Sequence, residues 1–121
     1  MEEFKVVVAG SRQFKDYKLL CDKLDSLFSR IKENRKIVII SGLAKGADEL
    51  GGRYAKERGF ELIEVPADWD RHGKSAGYKR NQVMAEMSDA SVVFWDGKSK
   101  GSSHMIDITK KNCNMLKVIR Y

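Results

Sequence analysis

Short apolar runs alternate with amphipathic segments of helical period from one end of this 121-residue chain to the other. The nearly continuous apolar runs at residues 4–9, 36–41 and 90–95 are typical of strands buried on both faces, and further strands are predicted at residues 60–65 and 116–121. Four helices are predicted between the strands. The first runs from Asp16 to Asn34, and the second runs over 47–58 with Gly59 as its stop. The third follows a polar loop at 67–77 and ends near Met87, and the fourth ends near Asn112.

This order of elements predicts an α/β fold, a Rossmann-like, doubly wound sheet of five mostly parallel strands with helices on both faces. Because crossovers are right-handed, the strand order 3-2-1-4-5 is expected, with strands 1 and 4 on either side of the switch point. The length predicts a single domain over residues 1–121. Ligands of such sheets bind beyond the carboxyl ends of the strands, where the loops after strands 1, 2 and 4 meet.

The loop after the second predicted strand reads Ser41-Gly42-Leu43-Ala44-Lys45-Gly46-Ala47-Asp48 and opens a helix. Glycines let the backbone approach an anion, and free N–H groups at a helix start donate to it. The loop after the first strand holds Gly10, Ser11 and Arg12, and its arginine can grip an anion in a bidentate manner. Two such loops favour a nucleotide-type ligand. The loop at 41–48 lacks the Gly-Lys-Ser/Thr ending of phosphate-loop NTPases, and the chain contains no Gly-x-Gly-x-x-Gly dinucleotide fingerprint.

Two further loops supply candidate ligand-binding residues. After the third strand, Trp69 can stack on a base, and Lys74 and Arg80 can neutralise phosphate beside Asn81. The candidates after the fourth strand are Asp96, Gly97, Gly101, Ser102 and Ser103.

A purely structural role stays open for several of these residues. Asp48 either caps its helix or holds a ribose hydroxyl, Trp69 also fits the edge of the core, and serines at a helix start are common caps. Arg12 can pair with a surface carboxylate instead. Arg80 is predicted on the apolar face of the third helix, where it needs a partner if buried, either a ligand phosphate or Asp68/Asp70. The other members of that face are Ala76, Val83, Met84 and Met87.

The composition, with 42% hydrophobic residues and a formal net charge of +6, fits a soluble globular protein. A basic surface attracts anions from mononucleotides to DNA without choosing among them. No signal peptide and no apolar run of about 20 residues is visible, so a cytoplasmic location without membrane contact is expected. Cys21 and Cys113 are expected to be buried thiols, and with His72 and His104 they show no metal-ligand spacing, so no metal is predicted.

Three stretches, at residues 8–12, 41–48 and 66–69 with 73–81, together resemble the YspA/YpsA-related branch of the SLOG superfamily, which is named after the DprA (Smf) and LOG proteins. The resemblance covers nearly the whole chain in order and spacing. It implies a Rossmann-like fold and recognition of a nucleotide or nucleotide-derived ligand. By matched position it points to Gly10, Ser11, Arg12, Ser41, Gly42, Gly46, Asp48, Arg80, Asn81, Gly101 and Ser102.

The LOG proteins cleave the N-glycosidic bond of nucleoside monophosphates through a Pro-Gly-Gly-x-Gly-Thr-x-x-Glu motif, and this chain departs from that pattern. The corresponding loop spans residues 97–105, and Met105 stands where the glutamate is expected. A thioether can neither stabilise an oxocarbenium ion nor activate water. We therefore predict binding of a ribose-phosphate or ADP-ribose-like ligand by a sensor or sequestering protein, without catalysis and without a required cofactor.

Two other functions stay open at this point. An enzyme acting on a nucleotide-derived ligand would draw its acid or base from Asp48, Asp68, Asp96 or His104. Binding of single-stranded DNA, as in DprA, would use the basic surface with Trp69, Tyr78 and Trp95 as stacking aromatics. Domains of this kind often pair, so a homo-oligomer is also an expectation.

Overall fold

A computed structural model describes residues 2–31, 35–112 and 114–121 of the chain. Its strands are β1 (Glu2–Gly10), β2 (Arg35–Ser41), β3 (Glu61–Glu64), β4 (Ala90–Trp95) and β5 (Met115–Arg120). Its helices are α1 (Tyr17–Phe28), α2 (Ala47–Arg58), α3 (Trp69–His72), α4 (Ala76–Met87) and α5 (Lys100–Lys111), and a 3-10 turn (Gly73–Ser75) joins α3 to α4. All strands pair in parallel in the order β3-β2-β1-β4-β5, which confirms the predicted fold class and topology.

The central strand β1 shows why the sheet is covered on both faces. Val6 and Val8 pack in one cluster with Leu20 of α1, and the residue between them, Val7, packs in a second cluster with Met84 of α4. Successive side chains of a strand point to opposite faces, so an uninterrupted apolar run needs a helical layer on each side. Helices α1 and α2 cover one face, and α4 and α5 cover the other.

Helix α1 begins as predicted and ends earlier than predicted. The Asp16 carboxylate accepts the Leu19 N–H at 3.0 Å, which is the expected N-cap. The helix ends at Phe28 because the hydroxyl of Ser29 donates to the Ser26 carbonyl and competes with continued helix. The predicted end at Asn34, like Cys113, lies outside the described residues. Cys21, expected to be buried, is half-buried on α1.

Three expectations for the second half of the chain were wrong. The predicted polar loop at 67–77 contains α3, because the Asp68 carboxylate caps it by accepting the Arg71 N–H at 3.1 Å. Val83 was expected on the apolar face of α4 but is 48% exposed, because the buried face of this helix is centred on the next residue, Met84. The predicted loop after β4 is also shorter, because the Ser99 side chain caps α5 and brings residues 101–103 into its first turn.

Close backbone contacts bring the loops after β1, β2 and β4 together. A Cβ atom on Gly10, whose φ is +156°, would overlap the Phe94 carbonyl and lie 2.8 Å from the Cβ of Ala47. Gly46, at φ +82°, packs its Cα against the Ser11 carbonyl, which also accepts the Ala47 N–H at 3.4 Å. Only glycine fits either position. These contacts gather the polar loops at the carboxyl edge of the sheet. None of the described helices has the length and apolar character to cross a bilayer.

Candidate ligand-binding cleft

A cleft of about 500 Å³ lies at the carboxyl edge of the sheet, between the loops after β1, β2 and β4 and the segment from α3 to α4. Most of the predicted site residues line it: Gly10, Ser11, Arg12, Asp48, Trp69, Lys74, Arg80, Asn81, Asp96, Gly101 and Ser102. The sheet order explains this meeting of distant segments, because β1 and β4 are neighbours at the point where the strand order reverses.

The other predicted site residues lie beside the cleft. Ser41 is fully buried, and its hydroxyl donates to the Asp48 carbonyl at 2.9 Å and accepts the Leu43 N–H at 3.2 Å, so it holds the loop in shape. Gly42 lies against the Arg80 side chain, and Gly46 supports the first loop. Gly97 and Ser103 line a neighbouring hollow on the far side of α5.

Several residues of the cleft wall were not among the predicted site residues. They are Ala9, Gln13, Ala44, Gly77, Tyr78, Lys98, Ser99 and Met105. Two of them carried a usable signal. Tyr78 is an aromatic residue about half a turn before Arg80 on the same helix. Lys98 is a basic residue in the loop after the fourth predicted strand, at the edge of the sheet where the ligand is expected. Met105 lies on the buried face of α5 and forms part of the cleft floor.

The Asp48 carboxylate joins the two glycine loops. It is buried, and the backbone N–H groups of Ala44, Gly10 and Gly42 are turned toward it and lower its pKa. Gly46, rather than Asp48, occupies the N-cap position of α2. Amides that were predicted to face an anionic ligand thus face the chain's own carboxylate. A ligand phosphate in this cleft therefore has to be held largely by side chains.

Burial raises the pKa of Asp48 to about 6, although the Arg80 charge and the three backbone donors pull it down. Between pH 4 and pH 6 the unfolded chain is ionised at this residue and the folded chain retains the proton. The contribution of Asp48 to the free energy of unfolding is therefore full below its ordinary pKa of 3.8 and is lost as pH rises through about 6. We expect an NMR titration of the Asp48 side-chain carbonyl to have its midpoint near pH 6. A midpoint near 3.8 would contradict this description of its burial.

Arg80 is held in a fixed position at the wall of the cleft. Its Nη1 donates to the Gly42 carbonyl at 2.6 Å, and its Nε donates to the Asn81 Oδ1 at 3.2 Å. Of the partners considered for a buried Arg80, Asp68 and Asp70 form no ion pair with it within 4 Å among the described residues, and the Gly42 and Asn81 oxygens with the nearby Asp48 charge compensate the guanidinium instead. Burial lowers the pKa of Arg80, and the negative charge of Asp48 opposes this shift. The positive charge of Arg12 lowers the pKa of Arg80 further, so the two guanidinium groups are close enough to interact electrostatically.

Three more cationic side chains reach the cleft from its rim. Arg12, Lys74 and Lys98 are exposed, and none of their charged groups has a carboxylate oxygen within 4 Å in the described part of the chain. With Arg80 they outnumber Asp48 and Asp96, the carboxylates that line the same cleft. Positive charge gathered in a concave site raises the local concentration of anions.

Asn81 links Arg80 to α5. Its Oδ1 faces Arg80, so its Nδ2 donates to the Gly101 carbonyl at 3.2 Å and to the Nδ1 of His104 at 3.2 Å. An Nδ1 atom that accepts belongs to a neutral imidazole, and burial lowers the pKa of His104 accordingly. The ring also meets the edge of Tyr78, with 4.4 Å between centroids. His104 thus supports the cleft wall from behind.

The carboxylates that were candidates for acid–base chemistry are already engaged by the backbone. Asp96 accepts the N–H groups of Lys98 and Ser99, both at 2.8 Å, and these bonds hold its pKa below the usual value. Asp68 caps α3, and Asp48 faces the loop amides described above. The arrangement is suited to holding an anion in place.

Comparison with known proteins agrees with this architecture. The gene 61 protein of Mycobacterium phage D29 is 33% identical over 113 residues, covering 88% of this chain and 89% of that protein. The structure of DNA processing protein A (DprA) from Streptococcus pneumoniae superposes with a TM-score of 0.75 at 21% identity over 97% of this chain, which spans 50% of the DprA chain, and this likeness concerns the fold. A model of the YAcAr family, described as YspA, cpYpsA-related SLOG, matches residues 4–72. The chain belongs to the YspA, cpYpsA-related SLOG family.

Proposed function

We propose that this protein binds a nucleotide or nucleotide-derived ligand in the cleft, as a sensor or sequestering protein. The observation that carries the proposal is the convergence of Arg12, Lys74, Arg80 and Lys98 on one concave site that holds only two carboxylates. The cleft also has Trp69 and Tyr78 at its rim, 53% and 44% exposed. A cluster of cations beside exposed aromatic rings is complementary to a base joined to phosphate.

Binding without chemistry is the form of this function that the contacts favour. A general acid or base must reach the reacting group with a free carboxyl or imidazole. The Asp96 carboxylate is occupied by backbone N–H groups, the Asp48 carboxylate is buried facing the loop amides, and His104 directs its Nδ1 to Asn81. Met105 stands where a LOG-type glutamate would be. Hydrolysis of a nucleotide-derived ligand is therefore the second choice.

The family assignment supports a nucleotide-type ligand, and the fold likeness to DprA raises DNA as another anion. DprA is by name a DNA processing protein, and DNA would meet the same basic side chains here. The salt dependence of the affinity distinguishes a DNA strand from a mononucleotide. Binding of a DNA strand releases many counterions and weakens steeply as salt is added, whereas binding of a mononucleotide to a few cations weakens less. A steep response would favour DNA.

Thermal unfolding against a ligand panel tests the proposal. The panel holds AMP, ADP, ATP, the guanine series, NAD, ADP-ribose, cyclic ADP-ribose, cyclic dinucleotides and inorganic phosphate. A ligand present at about 100 times its dissociation constant stabilises the fold by about 2.7 kcal/mol, which is a shift of several degrees in a chain of this size. We expect a shift with at least one nucleotide and no product when that ligand is incubated with the protein. No shift with any member would contradict the proposal, and turnover would favour the enzyme.

A further inference from the structure

We propose that the ligand contains two nucleotide units joined through phosphate, and that the second unit binds in a separate hollow on the far side of Tyr78. The inference rests on the proposed function and adds to it the size and class of the ligand. It is carried by a hollow of about 420 Å³ lined by residues at the start of α5 and the end of β4. Both hollows fall within the range of about 300–1,000 Å³ that is usual for small-molecule sites.

The two hollows share a wall. Tyr78 and Lys98 line both of them, so a ligand that leaves the cleft past Tyr78 enters the second hollow directly. The Lys98 side chain is exposed, and its ammonium has no carboxylate oxygen within 4 Å among the described residues. A cation at the boundary is placed to meet the phosphate that joins two units. Each hollow then receives one of them.

The second hollow has the same chemistry as the first. Its aromatic components are Tyr78, Trp95 and His104, and its exposed cations are Lys98 and Lys100. The Arg120 guanidinium lies over the Trp95 ring, 5.3 Å from its centroid, and against Gly97, which adds positive charge at this edge. Aromatic rings interleaved with cations are what a base and its phosphate require. Asp107 is the carboxylate in the lining.

The neutral state of His104 adds a reason to place a base there. Its Nδ1 accepts from Asn81, so the ring carries no charge and presents an apolar edge beside Tyr78. The Trp95 indole N–H is already used, donating to the Ser99 carbonyl at 3.0 Å. The surface that these rings offer is consequently a stacking surface, and selection of a particular base by hydrogen bonds has to come from elsewhere.

The test compares one-unit and two-unit probes on the wild type and on a charge-reversal pair. Lys100→Glu changes a residue that lines only the second hollow. An acid in the first turn of α5 is favoured by the helix dipole, so the fold is expected to hold. Lys56→Glu makes the same charge change at another exposed lysine, on α2, which covers the opposite face of the sheet from α5. The probes are AMP, NAD (linked by pyrophosphate) and the dideoxyadenylate pdApdA (linked by phosphodiester), with a 20-nucleotide strand added.

We expect NAD or pdApdA to bind the wild type at least about tenfold more tightly than AMP. Lys100→Glu should remove about tenfold of that affinity and leave AMP binding within twofold, and Lys56→Glu should leave all affinities within twofold. AMP binding with no gain for either two-unit probe, or equal effects of the two variants, would overturn this inference alone. Absence of binding by every probe would overturn the proposed function with it. Comparing the affinities for NAD and pdApdA identifies whether the two units are linked by pyrophosphate or by phosphodiester. A further large gain in affinity for the 20-nucleotide strand would overturn the two-unit ligand in favour of a DNA strand.

Discussion

Replacing Arg12 with alanine is expected to weaken AMP binding by roughly 10- to 100-fold without lowering the midpoint of thermal unfolding. The side chain is exposed, lines the cleft and has no carboxylate oxygen within 4 Å in the described part of the chain. Its removal therefore costs the fold little. Hydrogen bonds to charged groups contribute about 1.5–3 kcal/mol, which is the source of the expected change in affinity. Isothermal titration calorimetry measures it.

Arg12 is the better first substitution because Arg80 has two roles. The Arg80 guanidinium donates to the Gly42 carbonyl and offsets the buried Asp48 charge, so its loss would disturb the loop as well as the cleft. The matched control is Arg30→Ala, an equally exposed guanidinium beyond the end of α1 that lines none of the hollows described above. Unchanged AMP affinity in Arg12→Ala, or equal losses in the two variants, would remove Arg12 from the site.

Gly10→Ala is expected to destabilise the fold by about 3 kcal/mol or more, a fall of roughly 10 °C in the unfolding midpoint. The added methyl group would meet the Phe94 carbonyl and the Cβ of Ala47, and neither can move without shifting β4 or α2. Overpacking against backbone is costly because no flexible side chain can yield. The same shift would separate the loops that form the cleft, so AMP binding should be lost together with stability. Urea denaturation measures the first effect.

Gly52→Ala serves as the control for this prediction. Gly52 lies within α2, where an added Cβ would meet only a Leu62 methyl at an ordinary 3.7 Å. Alanine in a helix is favoured over glycine by roughly 0.5–1 kcal/mol, so this variant should be slightly more stable than the wild type. If Gly10→Ala were equally stable, the close approach of β1, β4 and α2 described here would be wrong.

The sequence predicted the fold well because the information was local and repeated. The apolar runs of β1, β2 and β4 were long enough to need two covering layers, and the Asp16 cap and the Gly59 stop mark helix ends through their own side-chain and backbone chemistry. The errors arose where local patterns are ambiguous. A polar run favours a loop even where it contains a cap such as Asp68, and the apolar pattern of α4 misplaces its buried face by one residue at Val83.

The site was harder to predict because its contacts cross the whole chain. Strand ends located the loops, and the strand order brought Arg12 and Arg80 to one cleft, as expected. No local pattern shows that Asp48 turns away from its own helix to the amides of Gly10 and Gly42, since that depends on two loops meeting in space. The second hollow could not be predicted for the same reason, because its lining combines residues of α4, β4 and α5 that are distant in the sequence.

The central claim, that a nucleotide binds in this cleft, is tested most directly by following backbone and indole N–H resonances in a ¹⁵N-labelled sample as AMP is added. The largest shifts are expected at Ser11 and Arg12, at Gly77 and Gly101, and at the Trp69 indole, and they should saturate together with one dissociation constant. Shifts confined to residues outside the cleft, such as Leu43, Gly52 and Glu57, or no saturable shift at millimolar AMP, would contradict it.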